Sequence, residues 1–189
     1  MIKFCTEVVD VIRPLIQHEG NYDVVIRNLP FVDDEGKTIK KRGSHVRLKR
    51  IGKVEDELYS VTVYLNANVE DITSKKFAFF INRGFDIYLK NLGIELNQHT
   101  LLTLICLHEF GHVNMMMECM SNGNLTNFNS AVHVNDNATR MIFPTRYDRD
   151  RFVQHKDSLR YRYSFDENYA DKFALIHFMN VWNQVKHLV

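Results

Sequence analysis

Leu101-Leu102-Thr103-Leu104-Ile105-Cys106-Leu107-His108-Glu109-Phe110-Gly111-His112-Val113 is the stretch that decides how this chain folds. It is an apolar run with helical patterning, and it contains His-Glu-x-x-His. Residues four apart lie on one face of a helix. His108 and His112 can therefore hold one metal ion, with Glu109 beside them on the side where water would approach. Imidazoles set in an apolar core need partners, so the buried setting favours a shared ion over a chance pair. The run extends into a helix predicted over Asn97 to Met120, with Asn97 as N-cap. Leu101, Leu104, His108, His112 and Met115 line one face of it, and Leu102, Ile105, Val113, Met116 and Met120 pad the flank. Ser121-Asn122-Gly123-Asn124 ends it.

Other elements are legible around this helix. Residues Ile2 to His18 place Phe4, Val8, Val11, Ile12, Leu15 and Ile16 at helical spacing, with Pro14 as a late kink or stop and Gly20 as the close. Asp23 to Asn68 reads as β structure. Val24-Val25-Ile26 is a short apolar strand, Asp33-Asp34-Glu35-Gly36 a turn, and Thr38 to Ile51 a basic stretch with alternating apolar positions. Tyr59 to Asn66 alternates Val61, Val63 and Leu65 with Ser60, Thr62 and Tyr64, the pattern of a half-buried strand. These runs predict a small sheet, antiparallel or mixed. Ser74 to Asn91 fits either a helix stopped by Gly93 or a hairpin turning at Arg83-Gly84, and its length favours the helix. Asn124 to Asp157 is polar and aperiodic. Ser164 to His187 is a second strong helix, with Ala170, Phe173, Ala174, Ile176, His177 and Val181 on its expected buried side.

A catalytic metal site needs a third protein ligand. The extension that supplies a third histidine after a glycine turn is missing, because Met115 and Glu118 occupy those positions and the helix runs on. Glu167 is the best-placed acid, and Asp166, His133 and His155 are the alternatives. Glu167 also closes a capping box with Ser164, and one carboxylate cannot serve as both cap and ligand. Asp171 follows Glu167 by one helical turn. It can accept the spare ring N–H of a ligating histidine, or it can be a solvated helix acid.

His108-Glu109-Phe110-Gly111-His112 together with Glu167-x-x-Ala170-Asp171-x-Phe173-Ala174 resembles the gluzincin branch of the zincin metallopeptidases, and most closely the ImmA/IrrE-type peptidases. The resemblance covers two short helices. It implies one Zn²⁺ ion held by His108, His112 and Glu167, Glu109 as general base, and Asp171 behind a ligating histidine. Two departures separate the chain from that subfamily. The interval from His112 to Glu167 is longer, and Leu175-Ile176-His177-Phe178 stands where an apolar segment ending in proline is usual. Peptidases of this kind also use a Tyr or His to stabilise the oxyanion. His155 and Tyr163 are the candidates, ahead of Tyr147, Tyr161 and Arg160.

Composition narrows the remaining choices. The 189 residues carry a formal net charge of +1, with 45% hydrophobic and 25% charged residues, so a single domain spanning 1–189 with a substantial core is expected. No apolar run is long enough to span a bilayer, and Glu7, Asp10 and Arg13 interrupt any signal-peptide core. Cys5, Cys106 and Cys119 have no metal-ligand spacing, which favours a reducing, cytoplasmic setting with the cysteines in the core. Lys37, Lys40, Lys41, Arg42, Arg47, Lys49, Arg50 and Lys53 form the charge cluster of the chain. It is read first as a solvated hairpin edge and second as a docking strip.

The expectation is an α+β zincin-like fold: a small twisted sheet packed on the His-Glu-x-x-His helix, with a C-terminal helix delivering the third ligand. The expected activity is zinc-dependent endopeptidase cleavage of a protein or peptide by zinc-activated water, with Glu109 as base. The substrate strand is expected along a sheet edge at Tyr59 to Asn66. Neither a membrane nor a nucleic acid is an expected partner, and the oligomeric state is left open. Two alternatives remain. One is a non-catalytic zinc-containing module docking protein or nucleic acid through residues 37–53. The other is a narrow regulatory protease with one repressor-like target.

Overall fold

The computed structural model of the chain describes residues 1–17, 20–30, 43–50, 59–69, 85–121 and 165–189. Among these residues the fold is α+β, with four helices and one three-stranded mixed sheet. The helices are α1 (Ile2–Ile12), α2 (Phe85–Asn91), α3 (Gln98–Ser121) and α4 (Phe165–Val185), and the strands are β1 (Tyr22–Arg27), β2 (His45–Arg50) and β3 (Tyr59–Asn66). The turn Asp33–Gly36, the first half of Ser74–Asn91 and the polar stretch Asn124–Asp157 lie outside the described residues.

Helix α3 organises the molecule. Every residue from Thr100 to Met115 is buried, on all sides of the helix. Sequence periodicity assigned it an inner face and a flank, but its neighbours enclose it: β2, β3, α1 and α4 all pack against it. A helix that is largely apolar around its whole circumference belongs in a core. Its start is set as expected. Asn97 Oδ1 accepts the backbone N–H groups of His99 (2.9 Å) and Thr100 (3.1 Å), while Thr100 Oγ1 accepts the Asn97 N–H at 2.8 Å.

The other helix ends follow local chemistry too. Helix α1 buries Phe4, Cys5, Val8, Val9 and Ile12, then gives way to a 3-10 turn over Arg13–Leu15 that contains Pro14. Helix α2 ends at Gly93, whose φ of +69° is left-handed. Gly93 N–H donates to Lys90 O at 3.0 Å and Ile94 N–H to Leu89 O at 2.9 Å, a Schellman ending that favours glycine at this position.

Helix α4 corrects one reading. Ala170, Phe173, Ala174, Phe178, Val181 and Val185 are buried, but Ile176 is 74% exposed. At about 100° per residue, Ile176 points about 150° away from the centre of that apolar stripe. His177 is half-buried against Phe173, with ring centroids 4.4 Å apart.

The sheet order is β1-β3-β2, with β1 parallel and β2 antiparallel to β3. This corrects the expectation that Tyr59–Asn66 offers an edge to substrate. β3 is the central strand, and its backbone groups on both sides are taken by β1 and β2. Its alternation still sorts the two faces. Val61, Val63 and Leu65 are buried in the core and their row partners are partly buried against it, whereas Tyr64 and Thr62 share the outer face with His45 and Arg47. No described helix is long and apolar enough to cross a membrane.

Candidate metal centre

Helices α3 and α4 meet where a glycine lets them. A Cβ added at Gly111 would lie 2.7 Å from Ala170 Cα, 3.0 Å from Phe173 Cβ and 3.1 Å from Ala170 O. Ordinary carbon contacts are about 3.5–4.0 Å, so no other residue fits at position 111 while α3 and α4 remain this close. The contact falls one residue before His112 and one helical turn after Glu167. It therefore places Glu167 opposite the two histidines.

His108, His112 and Glu167 each offer one donor atom, and these atoms all lie within 4.8 Å of one another. Glu167 Oε2 is 3.2 Å from His108 Nε2, and Glu167 Oε1 is 3.6 Å from His112 Nε2. The two imidazoles are nearly perpendicular (87°), with centroids 4.8 Å apart. All three residues are buried, as is Glu109, with exposures of 5–9%. Behind them, Asp171 Oδ1 lies 2.8 Å from His108 Nδ1. A carboxylate can only accept there, so Nδ1 carries a proton and Nε2 is the ring atom turned toward Glu167.

This arrangement fits a divalent cation. Nε2 of His108 and the Glu167 oxygen 3.2 Å away are two donor atoms that one cation can bridge. With metal–ligand bonds of about 2.0–2.1 Å, tetrahedral geometry puts neighbouring donors about 3.3–3.4 Å apart, within the range of the two observed separations. Two imidazoles and one carboxylate form a donor set that can hold a divalent metal ion. Of the third-ligand candidates, Glu167 is brought to the histidines, while half-buried Asp166 is not part of the group. His133 and His155 lie outside the described residues, as do Ser164 of the capping box and the oxyanion candidates Tyr163, Tyr147, Tyr161 and Arg160.

A polar brace beside the centre was not evident from motif spacing. Buried Asn114, two residues past His112, accepts the Gln17 backbone N–H (3.0 Å) and donates to Tyr169 Oη (2.8 Å). Tyr169 in turn donates to Glu118 Oε2 at 3.2 Å. Burial is the main influence raising the Tyr169 phenol above its ordinary value, so it stays a neutral donor. Tyr169 is two residues from Glu167, so the brace fixes the start of α4 against α3. The available signal was a lone amide in an apolar helix.

The cysteines behave as core residues. Cys5 and Cys106 are fully buried, with their sulfurs 3.7 Å apart. The contact with Cys5, then burial, push the Cys106 thiol well above its ordinary value. Burial, then Glu118, raise that of half-buried Cys119.

Comparison with protein-family models, with curated proteins and with solved structures returns no match to this chain. The functional reading therefore rests on the site itself.

Proposed function

We propose that the chain is a zinc-dependent peptidase of the zincin type, with His108, His112 and Glu167 as ligands. The observation that carries this reading is the convergence of those three donors, buried and within 4.8 Å of one another, with Glu109 next to a ligand on the same helix. A structural zinc site is closed by four protein ligands and needs no neighbouring base. Here, among the described residues, the donor group has three members and an acid stands beside it.

Zinc held there would polarise a peptide carbonyl and acidify water toward a pKa of about 7. The residues of the chain do the rest. Asp171 holds His108 in the tautomer that presents Nε2 and raises its basicity. Glu109 takes the proton of the attacking water and passes it to the leaving amine. His108, His112 and Glu167 are themselves buried, and the scarcity of water around them strengthens each of these electrostatic interactions.

The test uses purified protein and a casein or peptide-library substrate, with and without chelator. Glu109→Gln is expected to keep its zinc and lose hydrolysis. Retained cleavage in that variant contradicts the mechanism. Zinc binding without casein cleavage, but with cut sites in the library, fits the narrow regulatory protease. Zinc binding with no cut at all fits the docking module.

A further inference from the structure

The outer face of the sheet carries a second site that the metal chemistry does not use. A cavity of about 630 Å³ opens there, lined by Arg27, Gly43, Ser44, His45, Arg47 and Tyr64. That volume falls within the range of small-molecule sites. Strand register explains the grouping. Tyr64 pairs with His45 on β2, Arg47 follows two residues on, and Arg27 enters from the end of β1. The Arg27 guanidinium lies 4.1 Å from the Tyr64 ring centroid, and the His45 ring stacks on the same phenol at 4.8 Å and 20°. Tyr64 thus acts as a spacer that holds the Arg27 guanidinium and the His45 ring in place.

We propose that this pocket binds a small phosphate-bearing ligand. Among the described residues its lining offers donors and no acid. Among the described residues no carboxylate pairs with Arg27 or Arg47. The acid on this face of the described strands, Asp23, stands in Arg47's row but two strands away, about 9.5 Å by strand spacing, and does not line the cavity. Ser44 Oγ accepts the Asn66 backbone N–H at 3.0 Å, which leaves its own proton to donate. His45 Nδ1 donates to Gly43 O at 3.0 Å, which fixes the ring. A phosphate carries about −1.5 to −2 charges and three acceptor oxygens, matching two guanidinium forks and a hydroxyl. A single carboxylate would leave one arginine unmatched. Arg27 and Arg47 reach one cavity from two different strands, while exposed Lys49 continues the outer row of β2 beyond it; the convergence of the two guanidinium groups favours a small ligand over a polymer.

The pocket lies on the sheet face opposite α3, so this proposal is independent of the metal reading. Calorimetric titration of the full chain at low salt with inorganic pyrophosphate and with adenosine triphosphate tests it, using succinate as a dicarboxylate control. Both phosphates are expected to bind at least about tenfold more tightly than succinate. Arg47→Ala is expected to weaken them about ten- to a hundredfold, and Arg47→Lys less, because it keeps charge but not the fork. Arg47 is exposed, so its variants are expected to keep the wild-type circular dichroism and zinc content. Arg27→Ala is the second variant and is expected to weaken binding by a similar factor. Equal binding of succinate, no binding of either phosphate, or unchanged binding in both alanine variants overturns the proposal. So does binding of a single-stranded oligonucleotide alone, which would indicate a polymer surface.

Discussion

Replacing Gly111 by alanine separates a packing role from helix propensity, because the two predict opposite signs. In a helix interior exposed to solvent, Gly→Ala stabilises by about 1 kcal/mol. Here the new methyl would meet the α4 backbone at Ala170 Cα, 2.7 Å away, about 0.8 Å closer than carbon atoms ordinarily approach. Backbone cannot rotate aside, so the cost falls at the upper end of overpacking, about 3 kcal/mol. The net expectation is a loss of about 2 kcal/mol, read by urea denaturation of the zinc-free protein. Parting the helices also moves Glu167 away from His108 and His112, so zinc affinity measured by chelator competition is expected to drop about ten- to a hundredfold. A second variant sharpens the test. Adding Ala170→Gly should not rescue Gly111→Ala, because the clash is with Cα and not with the alanine methyl. A Gly111→Ala protein that is more stable than wild type and binds zinc equally well would refute the claim that this glycine sets the distance between the helices.

Three further outcomes are expected. Asp171→Asn removes the carboxylate at 2.8 Å from His108 Nδ1 and should weaken zinc binding about ten- to a hundredfold while the fold survives; unchanged affinity in the same chelator competition would make Asp171 a bystander. Phe178→Ala should cost about 3–5 kcal/mol, whereas Ile176→Lys should cost almost nothing, and equal losses in urea denaturation would mean that the rotation of α4 is misassigned. Burial lowers the pKa of His177, and burial followed by the positive N-terminus lowers that of His99, so the folded state binds fewer protons than the unfolded chain. Stability from these two residues is complete above the ordinary histidine value of 6.5 and declines as pH falls through it. Urea midpoints between about pH 8 and 5 should therefore fall less steeply in His177→Gln than in wild type, and an unchanged slope contradicts the assignment.

Much of the site was legible because its chemistry is local. His108, Glu109 and His112 sit within one and a half helical turns, and helix geometry alone puts the two rings together. Glu167 could be chosen because a metal needs a third donor and a second apolar helix carried acids at helical spacing. Asp171 was undecided until the 2.8 Å contact with His108 separated a histidine partner from a solvated acid. The strand Tyr59–Asn66 was delimited correctly by its alternation, but alternation reports faces and not neighbours, so its central position could not be read. The exposure of Ile176 was missed for a related reason. In a helix rich in apolar residues, the direction of the core is set by the tertiary partners and not by composition. The roles of Gly111, Asn114 and the Arg27–Tyr64–His45 cluster depend on contacts between distant segments and left no spacing to detect.

The claim beneath the whole account is that two histidines of α3 and Glu167 of α4 share one ion. Zinc content per chain, measured by elemental analysis on wild-type protein and on Glu167→Ala after identical dialysis, tests it directly. The account predicts one zinc per wild-type chain and a large loss in the variant. A wild-type chain that holds no metal, or a Glu167→Ala chain that keeps a full equivalent, would contradict it.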